Sequence, residues 1–223
     1  MLPSKLLINQ RRLKFMTKML CLSVASVLLF SVQQASAELT VGLDLFQDSG
    51  DRDMSVSYSS SGNEFDSSNF TADSSGYRLR FAFASIKENR AELYFSQYDV
   101  DDNGQFNDKE EWEIGVNYIV TFLKQHTNPS LDAITPFLKV GLGIGQADTD
   151  MKFITGFGDT TDNINNIHLN FGGGISYSFT DNIAVTGSIE YIYRNWEDIG
   201  NDFVTIGTTD SVFRAGIGID VSF

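Results

Sequence analysis

Phe213-Arg214-Ala215-Gly216-Ile217-Gly218-Ile219-Asp220-Val221-Ser222-Phe223 is the stretch that decides the fold. Phe213, Ala215, Ile217, Ile219, Val221 and Phe223 are apolar, and Arg214, Gly216, Gly218, Asp220 and Ser222 stand between them. Side chains of a strand alternate between two faces, so one face here is greasy and the other small or charged. In water the greasy face would need a second sheet. In a bilayer it meets lipid while the other face lines a lumen, and the terminal aromatic suits the closing strand of a transmembrane β-barrel.

Working back from this end, seven further segments alternate in the same way: 39–46, 76–85, 90–98, 111–123, 135–146, 166–179 and 183–194. In the second, Tyr77, Leu79, Phe81 and Phe83 oppose Arg78, Arg80, Ala82 and Ala84. In the fourth, Trp112, Ile114, Val116, Tyr118, Val120 and Phe122 oppose Glu113, Gly115, Asn117, Ile119 and Thr121. Most segments reach the roughly ten residues that a tilted strand needs to cross a bilayer. The connections alternate as well. Those at 47–75, 99–110, 147–165 and 195–210 are long, and those at 86–89 and 180–182 are short, with 124–134 between them. Short turns on one side and long loops on the other are the habit of bacterial outer-membrane barrels. The pattern predicts an all-β fold, an eight-stranded antiparallel up-and-down transmembrane β-barrel. The first connection, Ser-rich from Ser55 to Ser75, reads as a mobile outer loop. Trp112, Tyr193 and Phe213 fall at loop-side strand ends, and Phe122, Tyr177, Phe179 and Phe223 at turn-side ends, as two aromatic girdles would require.

The N-terminus reads as a secretion signal over residues 1–37, with the barrel domain over 38–223. Arg11, Arg12, Lys14 and Lys18 precede an apolar run from Met19 to Val32, too short for a membrane helix, and Ala35-Ser36-Ala37 gives a small-residue cleavage site before Glu38. Met16 as the start would leave a signal of more ordinary length. The remaining chain has no cysteine, since Cys21 lies in the signal, so disulfide and thiol chemistry are excluded. The signal also carries off five cations and no acid. That leaves 11 basic residues against 29 acidic ones, a net charge near −18. Such a chain is no partner for nucleic acid.

Pro136-Phe137-Leu138-Lys139-Val140-Gly141-Leu142-Gly143-Ile144-Gly145, the stretch from Gly172 to Trp196 with its turn Thr180-Asp181-Asn182, and the terminal Phe223 carry a family resemblance. The chain resembles the OmpA-like and opacity-type small outer-membrane β-barrels over all of residues 38–223. The resemblance implies an outer-membrane location in a Gram-negative bacterium, with outer-membrane lipid and lipopolysaccharide as partners. It implies that Phe223 is an assembly signal read by the barrel-assembly machinery. It also implies a barrel domain without the peptidoglycan-binding domain that full-length OmpA-type proteins carry.

Two places could carry chemistry. Alternation turns Asp44, Arg78, Arg80, Glu92, Glu113, Lys139, Glu190, Arg194, Arg214 and Asp220 inward. An eight-stranded barrel is narrow enough to be filled by side chains, so these charges are expected to pair as a structural plug. A gated narrow pore is the alternative. The second place is Asp99-Val100-Asp101-Asp102-Asn103-Gly104-Gln105-Phe106-Asn107-Asp108-Lys109-Glu110. Asp99, Asp101, Asn103, Asn107 and Glu110 match the oxygen-ligand positions of a calcium loop, Gln105 would offer its carbonyl, and Gly104 sits at the sharp turn. The flanks alternate like strands rather than helices. Calcium is therefore the one candidate cofactor, and an acidic hairpin loop that matches by composition is the competing reading. Twenty of the 29 acids lie within residues 47–75, 99–111, 147–165 and 195–210, which predicts a negative outer face.

Enzymatic readings find little support. No serine lies beside His126 or His168 in a recognisable motif, and Gly141, Gly143, Gly145 and Gly172 to Gly174 read as strand glycines that make room for large neighbours. The expectation is a non-enzymatic barrel acting in surface interaction or adhesion, divalent-cation binding or envelope integrity, with a narrow porin-like channel as runner-up. A water-soluble barrel is disfavoured by the continuous apolar outer face.

Overall fold

The computed structural model describes residues 39–58, 61–71, 73–84, 89–101, 109–122, 133–148, 163–200 and 204–223. Residues 1–37, where the sequence predicts a secretion signal, lie outside the described residues, as does His126. Among the described residues there are ten strands: β1 Thr40–Tyr58, β2 Glu64–Thr71, β3 Asp73–Ala82, β4 Arg90–Asp101, β5 Lys109–Thr121, β6 Ile134–Asp148, β7 Asn163–Ser178, β8 Ile183–Trp196, β9 Ile199–Gly200 and β10 Val204–Ser222. Every pairing among them is antiparallel.

Eight of the strands form a ring in the order β1-β3-β4-β5-β6-β7-β8-β10, closed by β1 against β10. The closing register runs from Thr40 opposite Ser222 to Tyr58 opposite Val204. Closure removes the two sheet edges that hydrocarbon could not satisfy. The alternating segments supply it because each has a lipid face and a lumen face. Ile189, Leu169, Phe171, Val140, Ile217 and Ile219 point outward and are exposed, while their chain neighbours are buried or half-buried. Both ends of the ring meet at the side of the short turns, where Phe223 N–H donates to Leu39 O at 2.9 Å. At that same side Thr180 Oγ1 accepts the backbone N–H groups of Asn182 and Ile183, which closes the tight β7–β8 turn.

The first long connection is not a loop. β1 continues through Tyr58, turns at Gly62 with φ +68°, and returns as β2, which pairs with β1 from Thr71 opposite Asp51. The fourth connection is likewise partly strand, since β10 starts at Val204 and pairs with β9. Beyond the membrane a strand needs no greasy face, so the hydrophobic alternation fades while the hydrogen-bond ladder persists. The three strands β1, β2 and β10 thus rise as a polar extension above the outer girdle.

The lipid-facing assignment carries a thermodynamic consequence. Ile189 lies between the girdles, 65% exposed. Ile189→Arg is expected to cost about 2–4 kcal/mol in reversible urea unfolding from lipid vesicles. The same residue placed on the extension, Asp66→Arg, is expected to change stability by less than about 0.5 kcal/mol.

Candidate functional site

The lumen is built from the residues that alternation turned inward. Arg80 on β3 gathers three carboxylates: Asp44 at 2.7 Å, Glu92 at 3.1 Å and Asp220 at 2.8 Å. Thr186 also donates to Asp220, at 2.6 Å. One tier outward, Glu190 accepts both Arg78, at 2.8 Å, and Lys139, at 2.7 Å. Asn117 and Asn170 link these tiers, because Asn117 donates to Glu92 and Asn170 donates to both Asn117 and Glu190. All ten charged residues expected to line the lumen are buried there.

Further out, Arg214 forks onto Asp48 through two bonds of 2.6 and 2.7 Å. Arg194 donates to Glu113 at 2.6 Å and to Asp48 at 3.2 Å. Arg214 also reaches Glu113 at 3.4 Å. β10 and β5 stand opposite one another in the ring, so this last ion pair spans the full width of the lumen. Aromatic faces complete the filling. The Arg214 guanidinium lies 3.7 Å over the Phe46 ring, and Arg78 lies 4.6 Å over Tyr94. Guanidinium is weakly hydrated and stacks well, which suits it to this packed position.

The outer mouth holds charges that the sequence placed in loops. Arg52 forks onto Asp210 at 2.7 and 2.8 Å, donates to Glu111 at 3.1 Å, and lies 5.1 Å over Trp196. Asp48, Glu111 and Asp210 are therefore lumen residues, which removes three acids from the expected negative outer face. The reason is strand length: β1, β5 and β10 run farther than their greasy stripes, and inward alternation goes on with them. Extending the parity of Asp44 to Asp48 and Arg52, or of Arg214 to Asp210, was the available signal. Burial pushes the Glu111 carboxyl above its ordinary range against the pull of Arg52. The folded protein thus holds this proton more tightly than the unfolded chain, so Glu111 withdraws stability as pH rises above the unfolded value of about 4.3.

His168 also points into the lumen. Its Nδ1 lies 3.1 Å from Asn166 Oδ1 and its Nε2 lies 2.6 Å from the Tyr94 hydroxyl. An amide oxygen can only accept, so the histidine proton sits on Nδ1 and Tyr94 donates to Nε2. Both ring nitrogens are thereby engaged, and neither meets a serine. Gly143 is what admits the ring, because a Cβ there would stand 2.5 Å from His168 Nε2.

The candidate calcium loop is described at its ends. Asp99 and Glu110 are direct partners in the β4–β5 ladder. Residues 102–108, with Asn103, Gln105 and Asn107, lie outside the described residues. Among the described residues no group of three or more His, Cys, Asp or Glu is placed to hold a metal ion.

A closed antiparallel ring of eight strands with a lipid-facing outer surface and a charged, filled lumen defines an outer-membrane β-barrel. The chain matches the model of the outer membrane protein β-barrel domain family over residues 22–218, and it belongs to that family. It is accordingly a protein of the outer membrane of a Gram-negative bacterium. The fold is similar to that of Neisserial surface protein A, at 20% identity and a TM-score of 0.54, covering 83% of this chain and 97% of that one. It is also similar to OprG of Pseudomonas aeruginosa, at 14% identity and a TM-score of 0.55, covering 84% and 96%. No curated protein sequence matches the chain.

The ion-pair geometry separates two glutamates that lie two residues apart on β5. Glu113→Gln leaves the buried Arg194 and Arg214 sharing Asp48, and is expected to cost about 3–5 kcal/mol in equilibrium unfolding. Glu111→Gln removes a carboxylate that burial already disfavours while Arg52 keeps Asp210. It is expected to cost less than about 1 kcal/mol at pH 7 and to flatten the pH dependence of stability.

Proposed function

We propose that this barrel is a non-enzymatic surface protein whose lumen is a structural plug and whose acidic outer connections meet the environment. The observation that carries the reading is the Arg214–Glu113 ion pair across the full lumen, with Arg194 and Asp48 locked into the same cluster. A path for solutes would have to part these pairs, and an unpaired buried charge is costly. The engaged nitrogens of His168 support the absence of hydrolytic chemistry. Outer-membrane lipid and lipopolysaccharide surround the belt in this reading, and Phe223 presents the last strand to the barrel-assembly machinery. Surface interaction or adhesion, divalent-cation binding and envelope integrity are the roles open to the outer face.

Reconstitution into planar bilayers tests the plug. The wild type is expected to give no steady conductance, whereas Arg214→Ala with Glu113→Ala opens a measurable one. Steady single-channel steps from the wild type would instead make the protein a narrow porin-like channel.

The loop from Asp99 to Glu110 is, in this reading, a weak calcium site with affinity on the order of 0.1–1 mM, as extracellular sites of this kind have. Its support is the ligand spacing together with the pairing of Asp99 and Glu110, which brings the first and last ligand positions face to face. Calorimetric titration of calcium into metal-free protein is expected to give saturable heat that the Asp99→Ala, Glu110→Ala variant loses. Equal heat in both would reduce the loop to an acidic hairpin.

A further inference from the structure

In the outer half of the lumen the described carboxylates Asp48, Glu111, Glu113 and Asp210 meet the guanidinium groups of Arg52, Arg194 and Arg214. One carboxylate is in surplus, and the hydrogen bonds single it out. Asp48 takes two bonds from Arg214 and one from Arg194. Glu113 takes Arg194, Arg214 and the Tyr98 hydroxyl. Asp210 takes the Arg52 fork. Glu111 is bonded on Oε1, 3.1 Å from Arg52 Nη2, and its buried Oε2 meets no donor. A buried carboxylate with one bare oxygen is the costliest of the four to keep charged. Burial holding the Glu111 carboxyl above its ordinary range agrees with that geometry.

The place of this bond in the fold gives it a mechanical meaning. Arg52 lies where β1 has taken β2 as its neighbour, opposite Phe70 on β2 and Asp210 on β10. The fork onto Asp210 therefore holds within the base of the strand extension. Glu111 belongs to β5, three strands round the ring from β1, and stands near the outer end of that strand. The Arg52–Glu111 bond thus ties the extension to another wall of the mouth. The Arg52 side chain is 25% exposed and that of Glu111 is 2% exposed, so solvent reaches the tie from the cation's side. Among the described residues the other charged or titratable groups facing Glu111 are Asp210 on β10, Arg194 on β8 and Tyr98 on β4. Its partner on β6, Ala147, and the Ile164 that packs on Ala147 bring none.

We propose that the Arg52–Glu111 bond is an acid-released latch: a proton taken up by Glu111 frees the strand extension from the β5 wall, while Arg52 stays forked on Asp210. The neutral carboxyl loses the charge-assisted bond, which is about twice as strong as a neutral one. Water-exposed carboxyls titrate near about 4, so Glu111 takes its proton before they do as pH falls. The Arg214–Glu113 pair lies one tier deeper and shares no group with the latch, so the latch does not rest on the plug.

Double electron–electron resonance tests it. Nitroxide labels are placed on Ser67→Cys, exposed on β2, and Ile114→Cys, on the outer face of β5, in a chain whose single cysteine is removed as Cys21→Ser. The protein is held in lipid nanodiscs in calcium-free buffer, so the reading of the 99–110 loop does not enter. A narrow distance distribution is expected at neutral pH. It is expected to broaden reversibly on acidification, with a one-proton midpoint above the ordinary carboxyl value of about 4.3. Glu111→Gln, which copies the neutral carboxyl, is expected to give the broad distribution at neutral pH and to lose the titration. Arg52→Gln is expected to do the same. A wild-type distribution that stays unchanged down to about pH 4, or the wild-type titration persisting in folded Glu111→Gln, would overturn the latch. Should Glu111→Gln fail to fold, a titration that survives in Arg52→Gln overturns it instead.

Discussion

Hydrocarbon offers no hydrogen-bonding partner, and the whole barrel follows from that constraint. A strand set down in lipid must pair along both edges, so the sheet has to close, and here β1 closes it against β10 over nineteen residue pairs from Thr40–Ser222 to Tyr58–Val204. Closure at eight strands sets the width of the interior. An interior that narrow must be filled by side chains. The filling must face residues that the lipid side has left polar, because every second residue of each strand is committed to the outer surface. The ion-pair network is thus a consequence of closure.

The composition of the network also has a physical logic. A lone buried charge would be ruinous, and an isolated pair only marginal, but here each carboxylate of the outer tier meets more than one guanidinium, and the forked geometry satisfies several donors at once. Asparagines bridge the tiers where a further charge would have had no partner. Phe46, Tyr94 and Tyr98 cover guanidinium faces that have no other use for their apolar surface. The glycines of β5 and β6 are the counterpart of this crowding. Gly115 and Gly143 lie under the Tyr94–His168 hydrogen bond, where any Cβ would collide with it.

The outer half of the molecule obeys different rules. Above the girdle water can satisfy backbone groups, and strands persist because a neighbour is present rather than because lipid demands it. β1, β2 and β10 therefore carry Ser, Thr, Asn and Asp on both faces. Three polar strands projecting past the rim, with the segment after β8 folded beside them, enclose a cleft that a flush barrel mouth would not possess. The two ends of the candidate calcium loop are held in register by the β4–β5 ladder that the membrane part begins.

The ring of eight strands and the inward identity of Arg78, Glu113, Lys139, Glu190 and Arg214 were legible from sequence alone. Period-two alternation is a local property, and a lipid-facing surface makes it unusually clean. The same signal was silent on Asp48, Glu111 and Asp210, because it was read off greasy residues and those strands outrun their greasy stripe. Ser55 to Ser75 was misread as a loop for the same reason: a strand with water on both faces has no hydrophobic pattern to show. What the tertiary structure alone decided is partnership. Arg214 finds Glu113 from 101 residues away, and Asp53 finds Asn69 and Thr209, through cross-strand register and barrel shear. Register is set by the pairing of whole strands in three dimensions, and no spacing along one chain encodes which charge will face which across the lumen.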